Sequence, residues 1–327
     1  MQQVTLGQSD LRVSRICLGT AFRAEHDEAT CLAAIQQAGD QGCNFLDCAN
    51  FYRDGFSERI VGKAIRNRRE QFIVTTKVGS QLPSDPTSGG LSRRSILTAA
   101  ENSLQRLDTD YIDLYLCHFP DPHTPAEETL AALDQLVCQG KVRHIGVSNY
   151  ETWRLYEALH VCEAHGWSAP ICNQVRYNLL EQHIEEELVP FCQQRNVGIT
   201  VYAASAIGLL SGRYRYGSPP PEGSTWWRGP YNYRAAMTAP VDAVVQKLVE
   251  MAAHHGGTAN QMAMAWCLAQ PGISCVITGA DTAERVAENL TADAIRLSSE
   301  ELKILDDLTC GLRWVFRKDC PEGFRTS

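Results

Sequence analysis

The chain carries 327 residues, 44% hydrophobic and 21% charged, and its 38 acidic against 30 basic residues leave a net charge of −8. This is the composition of an ordinary folded protein; it excludes a disordered, collagen-like or coiled-coil chain and gives no global field favouring nucleic acid or an anionic membrane. The longest apolar-rich run, residues 201–210, is about half of what a membrane-spanning helix needs, so no membrane insertion is expected.

The first segment, Val4-Thr5-Leu6, then Gly7-Gln8-Ser9-Asp10, then Leu11-Arg12-Val13, reads as a hairpin able to plug one end of a larger structure. Eight short, β-rich apolar runs follow, starting near Ile16, Asn44, Phe72, Tyr111, Val142, Ile171, Gly198 and Ser274. Helix-period segments separate them, for example Ile96, Leu97, Ala100, Leu104 and Leu107 after the third run, and Val244, Val245, Leu248, Val249 and Ala252 before the eighth. Capping boxes predict helix starts at Thr124-Pro125-Ala126-Glu127, Thr258-Ala259-Asn260-Gln261 and Ser298-Ser299-Glu300-Glu301, the first with proline at the first helical position, and Gly256-Gly257 supplies a helix stop.

Strands alternating with helices imply parallel pairing through right-handed crossovers. Eight such units predict a closed (β/α)8 TIM barrel rather than an open doubly wound sheet, whose G-x-G-x-x-G string is absent. Before the eighth strand lies a long stretch, residues 211–240, rich in Gly, Pro, Tyr and Trp, with Pro219-Pro220-Pro221 and Trp226-Trp227. It reads either as a structured cover over a ligand or as a surface excursion. No composition shift marks a boundary, so residues 1–327 read as a single barrel domain, with a core of residues 4–309 and a tail, 310–327. The 13 cysteines include no C-x-x-C pair, and the start Met1-Gln2-Gln3-Val4 lacks the charged-then-apolar leader of an exported chain. Both features point to a reducing, cytoplasmic setting.

In a barrel the chemistry sits at the carboxyl ends of the strands. The second strand ends at Asp47, followed by Tyr52; the third ends at Lys77 and the fourth at His118. Singly, these are a turn residue, a half-buried aromatic and a core histidine. Together they are more, because a lysine closing an apolar strand needs an anionic partner and Asp47 on the neighbouring strand is placed to supply it. A phenol ionises near pH 10, and a neighbouring ammonium favours the phenolate, so Tyr52 beside Lys77 suits proton exchange with a substrate oxygen. His118 can donate a hydrogen bond to that oxygen. None of these groups supplies a hydride, so a cofactor must; no metal is expected.

These residues match a family. Asn44-Phe45-Leu46-Asp47-Cys48-Ala49-Asn50-Phe51-Tyr52, then Ser57-Glu58 and Val61-Gly62-Lys63-Ala64, resemble motifs of the aldo-keto reductase superfamily. So do Leu114-Tyr115-Leu116-Cys117-His118, Lys141-Val142-Arg143-His144-Ile145-Gly146-Val147-Ser148-Asn149, Asn173-Gln174-Val175-Arg176-Tyr177-Asn178 and residues 279–289, all in the family's order. The resemblance implies a catalytic tetrad of Asp47, Tyr52, Lys77 and His118, with Tyr52 as general acid in reduction and base in oxidation. It also implies a nicotinamide cofactor: Thr20 and Asp47 near the ribose side, Ser148, Asn149 and Gln174 at the carboxamide, and Tyr202 stacked on the ring. Ala203, Ser205, Gly208 and Leu210 would follow the pyrophosphate, with Gly279, Arg285, Glu288 and Asn289 at the adenosine end. Arg285 suits a 2′-phosphate, which favours NADP(H) over NAD(H). Asp281 either faces that phosphate or, with Glu284, caps the last helix. After Tyr202 the chain departs from the family's frequent Ser-Pro-Leu, reading Ala203-Ala204-Ser205.

The implied substrate is a small-molecule carbonyl or alcohol. Phe51, Phe119, Trp226, Trp227 and Tyr231 would line its pocket, unless the tryptophans merely pack the long loop on the barrel. The tail, with Trp314, Phe316 and Phe324, either closes over the substrate or meets another subunit of a homo-oligomer. Finally, Gly90-Leu91-Ser92-Arg93-Arg94 and His118-Phe119-Pro120-Asp121 resemble the branch holding potassium-channel β-subunits and their bacterial reductase relatives. That implies an alternative, a regulatory, nucleotide-sensing protein on the same fold.

Overall fold

The hairpin forms first along the chain: β1 (Gln3–Thr5) and β2 (Arg12–Ser14) pair antiparallel, with Val4 opposite Val13. Leu6, Leu11 and Val13 are buried against Cys17, Phe45, Leu114, Leu116, Cys172 and Cys275 from the barrel interior, so the hairpin plugs the barrel floor. Its turn needs glycine, because Gly7 has φ +55° and a Cβ there would lie 2.1 Å from the Ile171 carbonyl oxygen. The structure is a computed structural model and describes residues 1–23, 27–229, 232–279 and 281–312.

Eight parallel strands follow: β3 (Ile16–Gly19), β4 (Phe45–Asp47), β5 (Ile73–Val78), β6 (Ile112–Cys117), β7 (Val142–Ser148), β8 (Cys172–Arg176), β9 (Gly198–Tyr202) and β10 (Ile273–Gly279). They pair in chain order, and β10 returns to β3 to close the barrel. Every strand starts within one residue of its predicted position. The runs are legible because helices outside and side chains inside cover both faces; β6, for instance, is buried at every position.

The helical layer comprises α1 (Glu28–Asp40), α2 (Phe56–Ile65), α3 (Arg93–Leu107), α4 (Ala126–Cys138), α5 (Thr152–His165) and α6 (Leu188–Arg195). Beyond β9 come two short helices in the long loop, α7 (Thr225–Arg228) and α8 (Tyr233–Ala236), then α9 (Ala239–His255), α10 (Ala259–Ala269), α11 (Ala283–Leu290) and α12 (Ser299–Thr309). The predicted stripes face inward for the most part: α3 buries Ile96, Ala100, Leu104 and Leu107, with Leu97 half-buried, and α9 buries Val244, Val245, Leu248 and Ala252, whereas Val249 is exposed at the edge of its stripe. Thr258 and Ser298 form complete capping boxes, and Gly256 ends α9 in a left-handed turn.

The third predicted box does not form. Pro125 is the N-cap of α4, without a side-chain cap, because the Thr124 hydroxyl donates to Asp121 Oδ2 at 2.8 Å instead. Within the 211–240 stretch the described residues are anchored at a few points, while Tyr216 and Trp227 are exposed. Tyr214, Trp226, Tyr233 and Met237 are buried, and the Tyr233 hydroxyl accepts from Arg215 N at 3.1 Å and donates to Arg215 O at 2.8 Å.

Where α2 meets α3 the approach is closest at Gly62, whose added Cβ would lie 2.4 Å from the Leu107 carbonyl oxygen. Backbone cannot yield there cheaply. Gly62→Ala is expected to lower the unfolding free energy by about 2 kcal/mol, seen as a lower urea midpoint at unchanged slope. An unchanged midpoint would show that the helices separate freely.

Candidate active site

Adjacent strands β4 and β5 run in register with Asp47 opposite Thr75; Asp47 closes β4, and Lys77 lies one residue before Val78, where β5 ends, so the two side chains meet toward the carboxyl mouth of the barrel. Lys77 is fully buried and Asp47 nearly so. Lys77 Nζ donates to Asp47 Oδ1 at 2.5 Å, to Cys48 O at 2.8 Å and to Tyr52 Oη at 3.3 Å, which uses all its donors. The second Asp47 oxygen accepts from Gln174 Nε2 at 2.8 Å. Burial is the largest single influence and would discharge the ammonium, but the Asp47 carboxylate and its hydrogen bond, with Tyr52, together outweigh it and raise Lys77 above the ordinary lysine value.

Tyr52 is half-buried on the loop after β4, which turns left-handed at Arg53 (φ +48°), Asp54 (+55°) and Gly55 (+76°) before α2 begins. Two of these carry a Cβ, so the turn is costly and needs anchors. Asp54 Oδ1 accepts from Ser84 Oγ at 2.7 Å, and the Arg53 guanidinium sits 4.0 Å above the Phe56 ring. Beneath the loop, Glu58 is wholly buried and accepts from Thr76 Oγ1 at 2.6 Å and Arg106 Nε at 2.5 Å, tying α2 and α3 to the residue before Lys77. Lys77 pulls the Tyr52 phenol toward ionisation, as its position predicts, but desolvation is the larger effect and the net shift is upward from 10.0. The phenol is therefore protonated at neutral pH.

His118 follows β6. Its ring stands edge-on to Tyr52, with centroids 5.8 Å apart at 80°, and stacks on Phe119 at 4.8 Å. Burial, reinforced by the Lys77 charge, holds it well below the usual histidine range, so the ring is neutral. Its Nδ1 lies 3.0 Å from Ser80 Oγ. Sequence reasoning missed this partner, because Ser80 belongs to the irregular 79–92 loop and its only signal was a hydroxyl three residues beyond Lys77.

The residues expected at the carboxamide form one hydrogen-bonded arc. Ser148 Oγ donates to Gln174 O at 2.8 Å; Asn149 Nδ2 donates to Ser148 Oγ and His118 O, both at 3.1 Å; and Tyr202 Oη donates to Asn149 Oδ1 at 2.8 Å. Gln174 Oε1 makes no hydrogen bond among the described residues, and Asn149 Oδ1 keeps a second lone pair. Thr20 is buried beside them, its hydroxyl 3.0 Å from Asp47 O and 2.8 Å from Ser57 Oγ, and it pins the end of β4.

After Tyr202 the chain is left-handed at Ala203 (φ +58°), Ala206 (+50°), Ile207 (+57°) and Gly208 (+83°). For a β-branched isoleucine this is an outlier. It is held by Gly208 N donating to Ser205 Oγ at 3.3 Å, Leu210 N donating to Ser205 O at 3.1 Å, and Trp226 Nε1 donating to Ile207 O at 3.1 Å. Trp226, 6% exposed, thus packs the long loop onto this turn, whereas Trp227 is 53% and Phe51 42% exposed. Tyr231 and residues 313–327 lie outside the described residues.

The adenosine-end residues lie apart from this arc, around β10 and α11. Gly279 is exposed, and a Cβ there would meet nothing within 4 Å. Thr282, not Asp281, caps α11, its hydroxyl oxygen accepting from Arg285 N at 3.4 Å, and α11 is followed by α12. Arg285 is exposed and forms no ion pair among the described residues. Glu288 Oε1 accepts from Thr258 Oγ1 at 3.0 Å. Asn289 is buried, donating to Thr278 Oγ1 and accepting from Asn260 Nδ2, both at 2.8 Å, which braces α11 against β10 and α10.

With this geometry in place, the chain matches the Aldo/keto reductase family over residues 15–309. The chain belongs to that family. It is 36% identical over 315 residues to a probable voltage-gated potassium channel subunit beta of Oryza sativa subsp. japonica, covering 92% of this chain and 94% of the relative. A probable subunit beta of Arabidopsis thaliana is 34% identical over 302 residues, covering 89% and 91%. An oxidoreductase of Bacillus subtilis (strain 168), described as uncharacterised, is 33% identical over 324 residues, covering 95% and 97%. This aldo/keto reductase is accordingly an oxidoreductase of a family that uses nicotinamide cofactors. No helix among the described residues is long and apolar enough to cross a membrane.

Stranding either partner of the Asp47–Lys77 pair leaves a buried charge. Asp47→Ala is expected to cost about 3–5 kcal/mol, and Asp47→Ala/Lys77→Met to cost less than the sum of its two singles by about 1 kcal/mol or more, measured by urea unfolding. Additive costs would contradict the pairing.

Proposed function

We propose that the chain is an NADP(H)-dependent aldo/keto reductase that reduces an aldehyde or ketone to its alcohol, or runs the reverse, with Tyr52 exchanging the proton. The observation that carries this reading is the charged Lys77, paired to Asp47 at 2.5 Å and 3.3 Å from the Tyr52 hydroxyl. When bound, the nicotinamide supplies or takes the hydride. Tyr52, kept protonated by burial, donates from Oη to the substrate carbonyl oxygen as that oxygen gains charge. Lys77 stabilises the phenolate left behind, Asp47 keeps Lys77 charged and aimed, and the neutral His118 donates a hydrogen bond to the same substrate oxygen.

The residues present suit the cofactor chemically. Gln174 Oε1 and the spare lone pair of Asn149 Oδ1 are acceptors for a carboxamide N–H₂, with Ser148 behind them, and the half-buried Tyr202 offers an aromatic face. The turn through Ala203, Ser205, Gly208 and Leu210 would follow the pyrophosphate. Gly279, Arg285, Glu288 and Asn289 would form the adenosine end, where the exposed Arg285 guanidinium, without an ion-pair partner among the described residues, favours a 2′-phosphate. Phe119, stacked on His118, and the exposed Phe51 would meet the substrate. The described cysteines are all free, in keeping with a reducing, cytoplasmic setting. The names of the rice and Arabidopsis relatives favour a second reading, a regulatory subunit that senses the nucleotide; it requires binding without meaningful turnover.

Tyr52→Phe is expected to lower carbonyl turnover by about a hundred- to ten-thousandfold while nucleotide affinity stays nearly unchanged. Steady-state kinetics paired with a binding titration check this, and wild-type rates in the variant would sink the mechanism. Arg285→Ala is expected to weaken NADP(H) by about tenfold or more and NAD(H) little, a comparison of dissociation constants in which equal losses would remove the phosphate role.

A further inference from the structure

The contact at His118 Nδ1 decides what that ring can do at its other nitrogen. A neutral imidazole carries one proton, on Nδ1 or on Nε2. Ser80 Oγ is 3.0 Å from Nδ1, and Nε2 makes no hydrogen bond among the described residues. With Nδ1 engaged, Nε2 is the one ring nitrogen left to meet an oxygen held beside Tyr52, whose ring centroid is 5.8 Å from that of His118. A carbonyl oxygen only accepts hydrogen bonds. If Ser80 accepted from Nδ1–H, a bare Nε2 would face that oxygen lone pair to lone pair; if Ser80 donates, the proton sits on Nε2, where it is useful.

We propose that Ser80 is a positioning residue that holds His118 in the Nε2–H tautomer, so that His118 donates to the substrate oxygen. The inference rests on the carbonyl-reductase reading above. The serine is itself well held. Gly79 turns at φ +111°, and a Cβ there would lie 3.0 Å from Leu91 Cδ2, so only glycine lets the chain leave β5 toward His118. Gly90 N donates to Gly79 O at 2.9 Å and closes the neck of the loop, while His118 N donates to Val78 O at 2.8 Å and keeps the two strand ends in step. Phe119, stacked at an interplanar angle of 16°, fixes the plane of the ring. The imidazole is thus gripped by one edge and one face, and the Ser80 hydroxyl has no other hydrogen-bond partner among the described residues.

Histidine-selective 15N labelling of the full chain, with the His118 signals assigned by their loss in His118→Asn, reads the tautomer without any substrate. The expected result is a protonated Nε2 and a bare Nδ1 in the wild type, a shift toward a tautomer mixture in Ser80→Ala, and recovery in Ser80→Thr, which keeps the hydroxyl. In parallel, kcat for carbonyl reduction should fall on the order of tenfold in Ser80→Ala with nucleotide affinity unchanged, and return in Ser80→Thr. A wild-type Nδ1–H tautomer, or the same tautomer balance in Ser80→Ala as in wild type, overturns the proposal. A wild type that turns over no carbonyl counts against the functional reading instead, and the nitrogen shifts then judge Ser80 alone.

Discussion

An ammonium at the mouth of a closed barrel has lost nearly all its water, and a charge so placed is neutralised unless the protein rebuilds its solvation. Lys77 keeps its proton by directing its donors at Asp47, the Cys48 carbonyl and the Tyr52 hydroxyl. The rest of the site follows from that pairing. Asp47 stays in place because Gln174 holds its other oxygen, Gln174 accepts from Ser148, and Ser148 and Asn149 carry the network on to Tyr202. A charge balance struck between β4 and β5 thereby sets the orientation of groups on β7, β8 and β9. The same ammonium acts oppositely on two neighbours, favouring the Tyr52 phenolate and disfavouring a charged His118.

The two ends of the barrel divide the labour. At the floor, the hairpin seals an apolar interior. At the mouth, left-handed residues follow directly on the site residues: Arg53, Asp54 and Gly55 after Tyr52, Asn149 after Ser148, and Ala203 after Tyr202. Each non-glycine member costs roughly 1–2 kcal/mol, and side-chain hydrogen bonds or packing anchors hold each turn in place. Strands thus fix where a side chain starts, and these sharp turns aim it across the mouth.

The barrel was readable because burial on both faces leaves unbroken apolar runs, and Asp47, Lys77 and His118 because they converge at one end of neighbouring runs, although each alone has an ordinary structural explanation. What could not be read depended on partners far along the chain. Thr124 looks like a helix cap until Asp121 competes for its hydroxyl. Asp281 reads as a cap by pattern, and only the actual helix start shows that the adjacent Thr282 takes that place. Trp226 belongs to loop packing because its indole reaches the Ile207 carbonyl. The ionisation of Tyr52 is a contest between burial and the Lys77 charge, and that sum needs three-dimensional distances. Ser80 was invisible for the simplest reason, since irregular loops carry no periodicity from which to place a side chain.

The account stands or falls on whether the arc from Asp47 to Tyr202 receives a nicotinamide. Titrating the full chain with NADPH and then with NADH, following the quenching of tryptophan and tyrosine fluorescence, tests this most directly. The account predicts saturable quenching by NADPH at lower concentration than by NADH; no saturable response to either nucleotide would contradict it.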